Sequence, residues 1–296
     1  MTAVLGEFGK KLAERWGAYL TVPGLLYLAA VVVAGILGQR HALEYSLVGH
    51  RITAWAGSSV LRSTGGLVLV LGVVLAASVA VALAAGALGR VVELIWVSSG
   101  RHRPARWLVN WRRKRSCRAK EIADDPISTP AQVRRAIART DRICLLEPHR
   151  PTWIGDRLRV CEIRIHRTYG LDLNSAWPRL WLILPDTART EIGTARDLFV
   201  AAAGLVGWSV LYVGLAVWWW PAALIAVITA TAGVMKARLA TTTLTDLVES
   251  AMDLYGADLF TRLEGPATGP ITPARGAAVT TLMRKSRWDP QSPLAD

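Results

Sequence analysis

The sequence predicts an all-α integral membrane protein, with four transmembrane helices in two hairpins and a mainly helical cytoplasmic insert. Three observations carry this. Of the 296 residues, 52% are apolar before the 25 glycines are added, whereas soluble domains sit near ~45–50% with glycine included. Charged residues are 19% against a usual ~25%, and mean hydropathy is +0.31. The formal net charge is nevertheless +13, so apolar mass and positive charge are segregated along the chain.

Residues 1–19 form a cytoplasmic N-terminal segment carrying Glu7, Lys10, Lys11, Glu14 and Arg15. The run 20–38 follows as the first span, close to the ~20 residues a bilayer crossing needs. A cleaved signal peptide fits less well, because the charged region is long and contains acids. An external loop, 39–65, leads to the second span, 66–97, whose helix outruns the ~30 Å hydrocarbon core. After a basic cytoplasmic domain, 98–197, come a third span, 198–219, and a fourth, 221–238. Trp218, Trp219 and Trp220 mark a membrane face between these two, and Pro221 suits a first helical position, where its missing N–H costs nothing. Lys236 and Arg238 snorkel at the far end. Leu244, Leu247, Val248, Ala251, Leu254, Tyr255 and Leu259 then recur at helical spacing with acids between them, giving an amphipathic helix over 240–264 that packs on the basic domain or on a neighbouring subunit. Residues 265–296, rich in proline and glycine, read as a flexible tail.

Orientation follows from the cations. Arg101, Arg103, Arg106, Arg112, Arg113, Lys114, Arg115, Arg118 and Lys120 stand together without an acid among them, which places this flank in the cytoplasm. Both termini are then cytoplasmic. The alanine, valine and arginine bias is that of a GC-rich bacterial genome, and the expected location is a bacterial inner (plasma) membrane.

Within the cytoplasmic domain, Pro130 to Asp141 reads as a helix opened at Ser128 or Thr129. Ile154, Leu158, Cys161, Ile165 and Tyr169 recur at steps of four, three, four and four, a single helical stripe. Asp186 caps a helix running from Thr187 into the third span, coupling domain and membrane rigidly.

Three blocks punctuate this domain: Pro151-Thr152-Trp153-Ile154-Gly155-Asp156, Tyr169-Gly170-Leu171-Asp172 and Trp177-Pro178-Arg179-Leu180-Trp181. Together with the helix from Asp246 to Leu263 they resemble signature blocks of an uncharacterised bacterial multi-span membrane-protein family. That resemblance implies an architecture and no chemistry. Physically, Pro151 and Gly155 fix an entry turn, Gly170 supplies a left-handed helix end, and Trp177, Leu180 and Trp181 share one side of a helical turn. A functional alternative has Asp156 or Asp172 pairing with an arginine to set a subunit contact.

Reactive-site signatures are missing: the sequence holds no G-x-S-x-G, no G-x-x-x-x-G-K, no G-x-G-x-x-G and no H-E-x-x-H. The five histidines are scattered, and Cys117, Cys144 and Cys161 lack C-x-x-C spacing, as three thiols of a reducing compartment would. No enzymatic role, cofactor or metal is therefore expected. In the basic block, Trp107, Leu108 and Trp111 stand beside the cations, the pattern of a helix lying on anionic lipid; the plainer reading is that cations merely hold the span's inner end. The expected lipid contacts are Arg101, Arg103, Arg106, Trp107, Trp111, Arg112, Arg113, Lys114 and Arg115. Nucleic acid is disfavoured, because the block abuts a span and no recognition motif accompanies it.

Small residues mark the second span. Gly72, Ala76, Ala80 and Ala84 lie four apart, as do Ser78, Ala82 and Gly86, which admits close helix packing within one bundle or also between subunits. Two functions fit this organisation. One is a non-enzymatic, membrane-anchored scaffold or interaction platform, its basic domain meeting anionic lipid and a cytoplasmic protein partner. The alternative is a subunit of a homo-oligomeric pore gated by that domain, with Ser78, Ser209, Thr229 and Thr231 along the pathway.

Overall fold

The structure, a computed structural model, describes residues 22–56, 63–98, 103–124, 148–265, 269 and 271–284. Among the described residues all regular structure is helical. The elements are α1 (Val22–Leu37), α2 (Tyr45–Ala56), α3 (Thr64–Val97), α4 (Arg103–Asp124), α5 (Trp153–Tyr169), α6 (Leu173–Ile183), α7 (Asp186–Ala216), α8 (Pro221–Glu264) and α9 (Pro273–Arg284). Three of them, α3, α7 and α8, are long and apolar enough to cross a membrane. The described part of the first predicted span, α1, is shorter than that. The N-terminal segment 1–19, Arg101 and the helix expected at 130–141 lie outside the described residues.

The chain divides into two compact units, Met1–Glu93 with Val200–Met235, and Leu94–Phe199 with Lys236–Asp296. In the first, glycines let helix backbones meet. A Cβ on Gly207 would strike the Ala85 carbonyl and stand 2.7 Å from the Gly89 nitrogen, and one on Gly89 would lie 3.0 Å from Gly204 Cα. A Cβ on Gly24 would meet the Ser78 backbone and its hydroxyl at 2.8 Å. The packed stripe of α3 is therefore Ser78, Ala82, Ala85 and Gly89, all buried, at steps of four, three and four. Gly72, Ala76, Ala80, Ala84 and Gly86 are exposed, and a Cβ on Gly72 or Gly86 would touch nothing. Within this chain those five therefore lie off the packed face. Strict steps of four drift by about 40° each around a helix and leave its packed face, whereas alternating three and four stay on it.

Aromatic and polar groups lock the same unit near Trp219. Tyr27 packs edge-on to Tyr212 at 5.2 Å and donates to the Leu211 carbonyl at 3.2 Å. Gln39 Nε2 donates to the Ala216 and Val217 carbonyls at 3.0 and 2.8 Å, supplying donors that the end of α7 lacks. Trp219 Nε1 reaches the Ala42 carbonyl at 3.1 Å, and Pro221 occupies the first position of α8.

The second unit has its own core, in which Leu171, Leu180, Met252, Leu259, Phe260 and Val279 are almost wholly buried. It draws on α5, α6, α8 and α9, with Ile192 of α7. Of the expected tail, 273–284 is helical, while 266–268, 270 and 285–296 lie outside the described residues. Pro273 begins a helix, and α9 buries Gly276, Val279, Thr280 and Met283.

Overpacking typically costs about 1–3 kcal/mol, and at Gly207 the obstacle is backbone that cannot move aside. Gly207→Leu is therefore expected to lower the thermal unfolding midpoint of the detergent-solubilised protein by several degrees. Gly72→Leu, made where a side chain meets open space, leaves it near wild type.

Candidate functional site

The last carbonyls of any α-helix lack intrahelical donors, and α3 ends at Val97. The block around Pro151 supplies what is missing. Thr152 Oγ1 donates to the Trp96 carbonyl at 2.7 Å, and Arg150 Nη1 donates to the Val97 carbonyl at 2.7 Å, placing a cation at the negative end of the helix dipole. Thr152 also caps α5, accepting from the Gly155 N–H at 3.0 Å. Gly155 must be glycine here, because a Cβ would stand 2.7 Å from the Trp96 carbonyl oxygen.

Asp156 fixes the loop that carries these groups. Its Oδ1 accepts from the backbone N–H of His149 at 3.0 Å and of Arg150 at 2.8 Å. Its Oδ2 pairs with Arg112 of α4 at 2.7 Å, with both side chains almost fully buried. Arg112 also donates to the Arg150 carbonyl. Arg112 is consequently an internal strut of this unit, which corrects its place among the lipid contacts. A cation is tolerated inside when a carboxylate and a carbonyl meet it. Asp156 pairs within its own chain, so the pairing that was an alternative for a subunit contact is satisfied here.

The second block receives α9. Gly170 adopts a left-handed conformation (φ 69°) that closes α5, and a Cβ there would collide with the Pro273 carbonyl. A Cβ on Gly276 would in turn collide with the Tyr169 carbonyl. Asp172 accepts from Ser175 Oγ at 2.7 Å and from Arg284 Nη2 at 3.0 Å, while its N–H donates to Thr280 at 3.1 Å. Partial burial pushes the Asp172 carboxyl up, but the hydrogen bonds from Ser175 and Arg284 outweigh this and hold it below its ordinary value. In the third block Pro178 lies inside α6, Trp177 and Trp181 pack with ring centres 5.8 Å apart, and Arg179 donates to the Met283 carbonyl at 3.0 Å, at the end of α9.

The acidic face of α8 packs on the basic face of α5. Arg157 pairs with Asp246 at 2.7 Å, Arg164 with Glu249 at 3.3 Å, and the Tyr169 hydroxyl donates to Asp253 at 2.6 Å. Partners advance in the same direction along both helices, so the two run parallel. The bond to Asp253, with burial, pushes the Tyr169 hydroxyl up to about 12. Burial first, then the nearby Glu249 and Glu162, pushes the Cys161 thiol up to about 12. A neutral, buried thiol is a packing group and a poor nucleophile.

On α4 the faces divide. Val109, Arg112 and Ser116 are buried, whereas Trp107, Trp111, Lys114 and Arg118 are exposed on the opposite side. Trp107 is 67% and Trp111 49% exposed, with the Arg115 guanidinium 5.3 Å from the Trp111 ring centre. Arg106 and Arg115 share this exposure and Arg113 is intermediate. Arg103 belongs to the helix. Sequence reasoning missed the roles of Arg150, Thr152, Arg157 and Gly276. Among these, Thr152 was legible as a threonine at a helix start, three residues before Gly155, the position of a capping side chain.

Among the described residues no three His, Cys, Asp or Glu side chains are grouped to hold a metal ion. Comparison with protein-family models, curated proteins and solved structures finds no match. The blocks are accordingly read from their geometry.

Removing one partner of a buried ion pair costs about 3–5 kcal/mol. Asp156→Ala, which strands Arg112 and two backbone donors, is expected to lower the thermal midpoint far more than loss of the exposed Arg118. For Asp172, a carboxyl lowered in the folded state contributes stability above its unfolded pKa of about 3.9 and loses it as pH falls through the lower folded value. Asp172→Asn, which imitates that protonation at neutral pH, should speed hydrogen exchange of the 273–284 amides while leaving those of α5 protected.

Proposed function

We propose that this protein is a non-enzymatic integral membrane protein that acts as a membrane-anchored scaffold, its basic domain lying on anionic lipid at the cytoplasmic face. The observation that carries this reading is the division of α4. Its inner face is fixed by Arg112 on Asp156. Its outer face presents Trp107, Leu108 and Trp111 among Arg106, Lys114, Arg115 and Arg118. Exposed indoles interleaved with cations suit the headgroup zone, where apolar burial and attraction to anionic lipid add, each cation contributing on the order of 1 kcal/mol. The span arrangement proposed is four helices in two hairpins, α1 with α3 and α7 with α8, both termini in the cytoplasm of a bacterial inner membrane. Homo-oligomers and a cytoplasmic protein partner belong to the same proposal.

Support for the scaffold over a gated pore comes from the hydroxyls along the spans. Thr229 and Thr231 donate to the Ile225 and Val227 carbonyls of their own helix, and Ser209 to that of Val206. Ser78 is fully buried against Gly24. None of the four offers a free donor to a water-filled path.

Native mass measurement in nanodiscs of mixed anionic and zwitterionic lipid tests both parts. The scaffold reading expects a monomer or dimer that retains anionic lipid, and a Lys114→Gln/Arg115→Gln/Arg118→Gln variant that retains clearly less. A closed ring of three or more subunits that conducts ions in a planar bilayer would replace it with the pore.

A further inference from the structure

Between α5, α6, α7 and α8, within the second unit, lies a cleft of about 720 Å³. Ligand pockets commonly span roughly 300–1,000 Å³, with apolar walls and a few placed polar groups. Leu158, Trp177, Trp181, Ile192, Leu244 and Val248 form the apolar wall, and Arg150 and Arg196 are the cations on it. The two indoles pack against each other and give one side of the cleft a rigid apolar surface. Arg196 is exposed and has no hydrogen bond or ion pair among the described residues. Arg150 is only partly engaged, with Nη1 on the Val97 carbonyl at 2.7 Å and Nη2 3.8 Å from Glu162. Two guanidinium groups face one carboxylate, so the cleft is short of negative charge.

The chain positions of these groups say where that charge would come from. Val97 is the last residue of the apolar helix α3, and Arg196 stands two residues before the apolar run that opens at Leu198. Both are at sequence positions where a span meets headgroups. An apolar wall with cations at such positions complements a molecule that is itself half chain and half anion.

We propose that the cleft binds a single-chain anionic amphiphile, its hydrocarbon chain along Trp177 and Trp181 and its carboxylate or phosphate head against Arg196 and Arg150. Guanidinium groups suit either head, since both accept paired N–H donors. The inference needs the membrane setting of the chain but neither the lipid face of α4 nor the oligomeric state.

Tryptophan quenching tests it on the full chain in nonionic detergent, titrated with 9,10-dibromostearate. The expected result is a saturable quenched fraction over the linear micellar background, absent from the Trp177→Phe/Trp181→Phe variant. Arg196→Gln, which removes no contact within the described fold, should raise the half-saturating concentration about tenfold, as loss of a charge-assisted hydrogen bond does. Competition by unbrominated oleate or by oleoyl lysophosphatidate tells which head the site prefers. Purely linear quenching, saturable quenching that survives in the double-Phe variant, an unchanged Arg196→Gln curve, or equal saturation by brominated phosphatidylcholine would each overturn the proposal.

Discussion

The carbonyl end of α3 is the constraint on which the second unit is built. A long apolar helix that stops at Val97 leaves acceptors that water or protein must meet, and here protein meets them, through Thr152 and Arg150. Each further feature follows from that contact. Gly155 is needed because the backbones approach too closely for a side chain. Asp156 is needed because the loop bearing Arg150 has backbone donors of its own to satisfy. Its remaining oxygen draws in Arg112, which ties α4 to α5. A single short block thereby fixes the ends of three helices relative to one another within the unit.

Charge organises the rest of the unit in a graded way. The Arg112–Asp156 pair is buried, and its value lies in what would be stranded if either member were lost. The pairs between α5 and α8 are more exposed: Asp246 and Arg164 each keep about half of their side-chain surface. Exposed pairs contribute little to stability but select register and partner. They align α8 along α5 so that Met252, Leu259 and Phe260 fall into the apolar core, which does the stabilising. The α9 helix is held in the same manner, by Arg284 on Asp172 and Arg275 on Glu264 at its edges and by Val279 and Met283 within.

What the sequence revealed and what it concealed have physical explanations. The helical class and the long apolar runs were legible because periodicity and composition act locally, and the stripe from Ile154 to Tyr169 is an actual helix, α5. Gly170 was legible as a left-handed helix end because that role depends on its own φ angle. Gly276 was not, since its reason for being glycine is the Tyr169 carbonyl more than a hundred residues away in the chain. In α9, proline and glycine imitate a tail: Pro273 begins the helix and Gly276 makes a contact, and neither confers freedom. Arg112 was concealed for a different reason. In a run of like charges composition cannot tell which member has a buried partner, and the steps of three and four from Val109 to Arg112 to Ser116 become a signal only once another helix is known to lie there.

The same division of labour explains why the surfaces, and no reactive group, carry the functional reading. Burial first, and then the nearby carboxylates, push the Cys161 thiol up, and Asp156 and Asp172 accept from structural donors. Among the described residues, the indoles and cations on the outer face of α4 are exposed, and Arg196 in the cleft has no ion pair. Exposed tryptophan is costly in water unless something covers it, and an unpaired guanidinium invites an anion. Both features suit a partner that is apolar and negatively charged at once, as the anionic lipid proposed above would be.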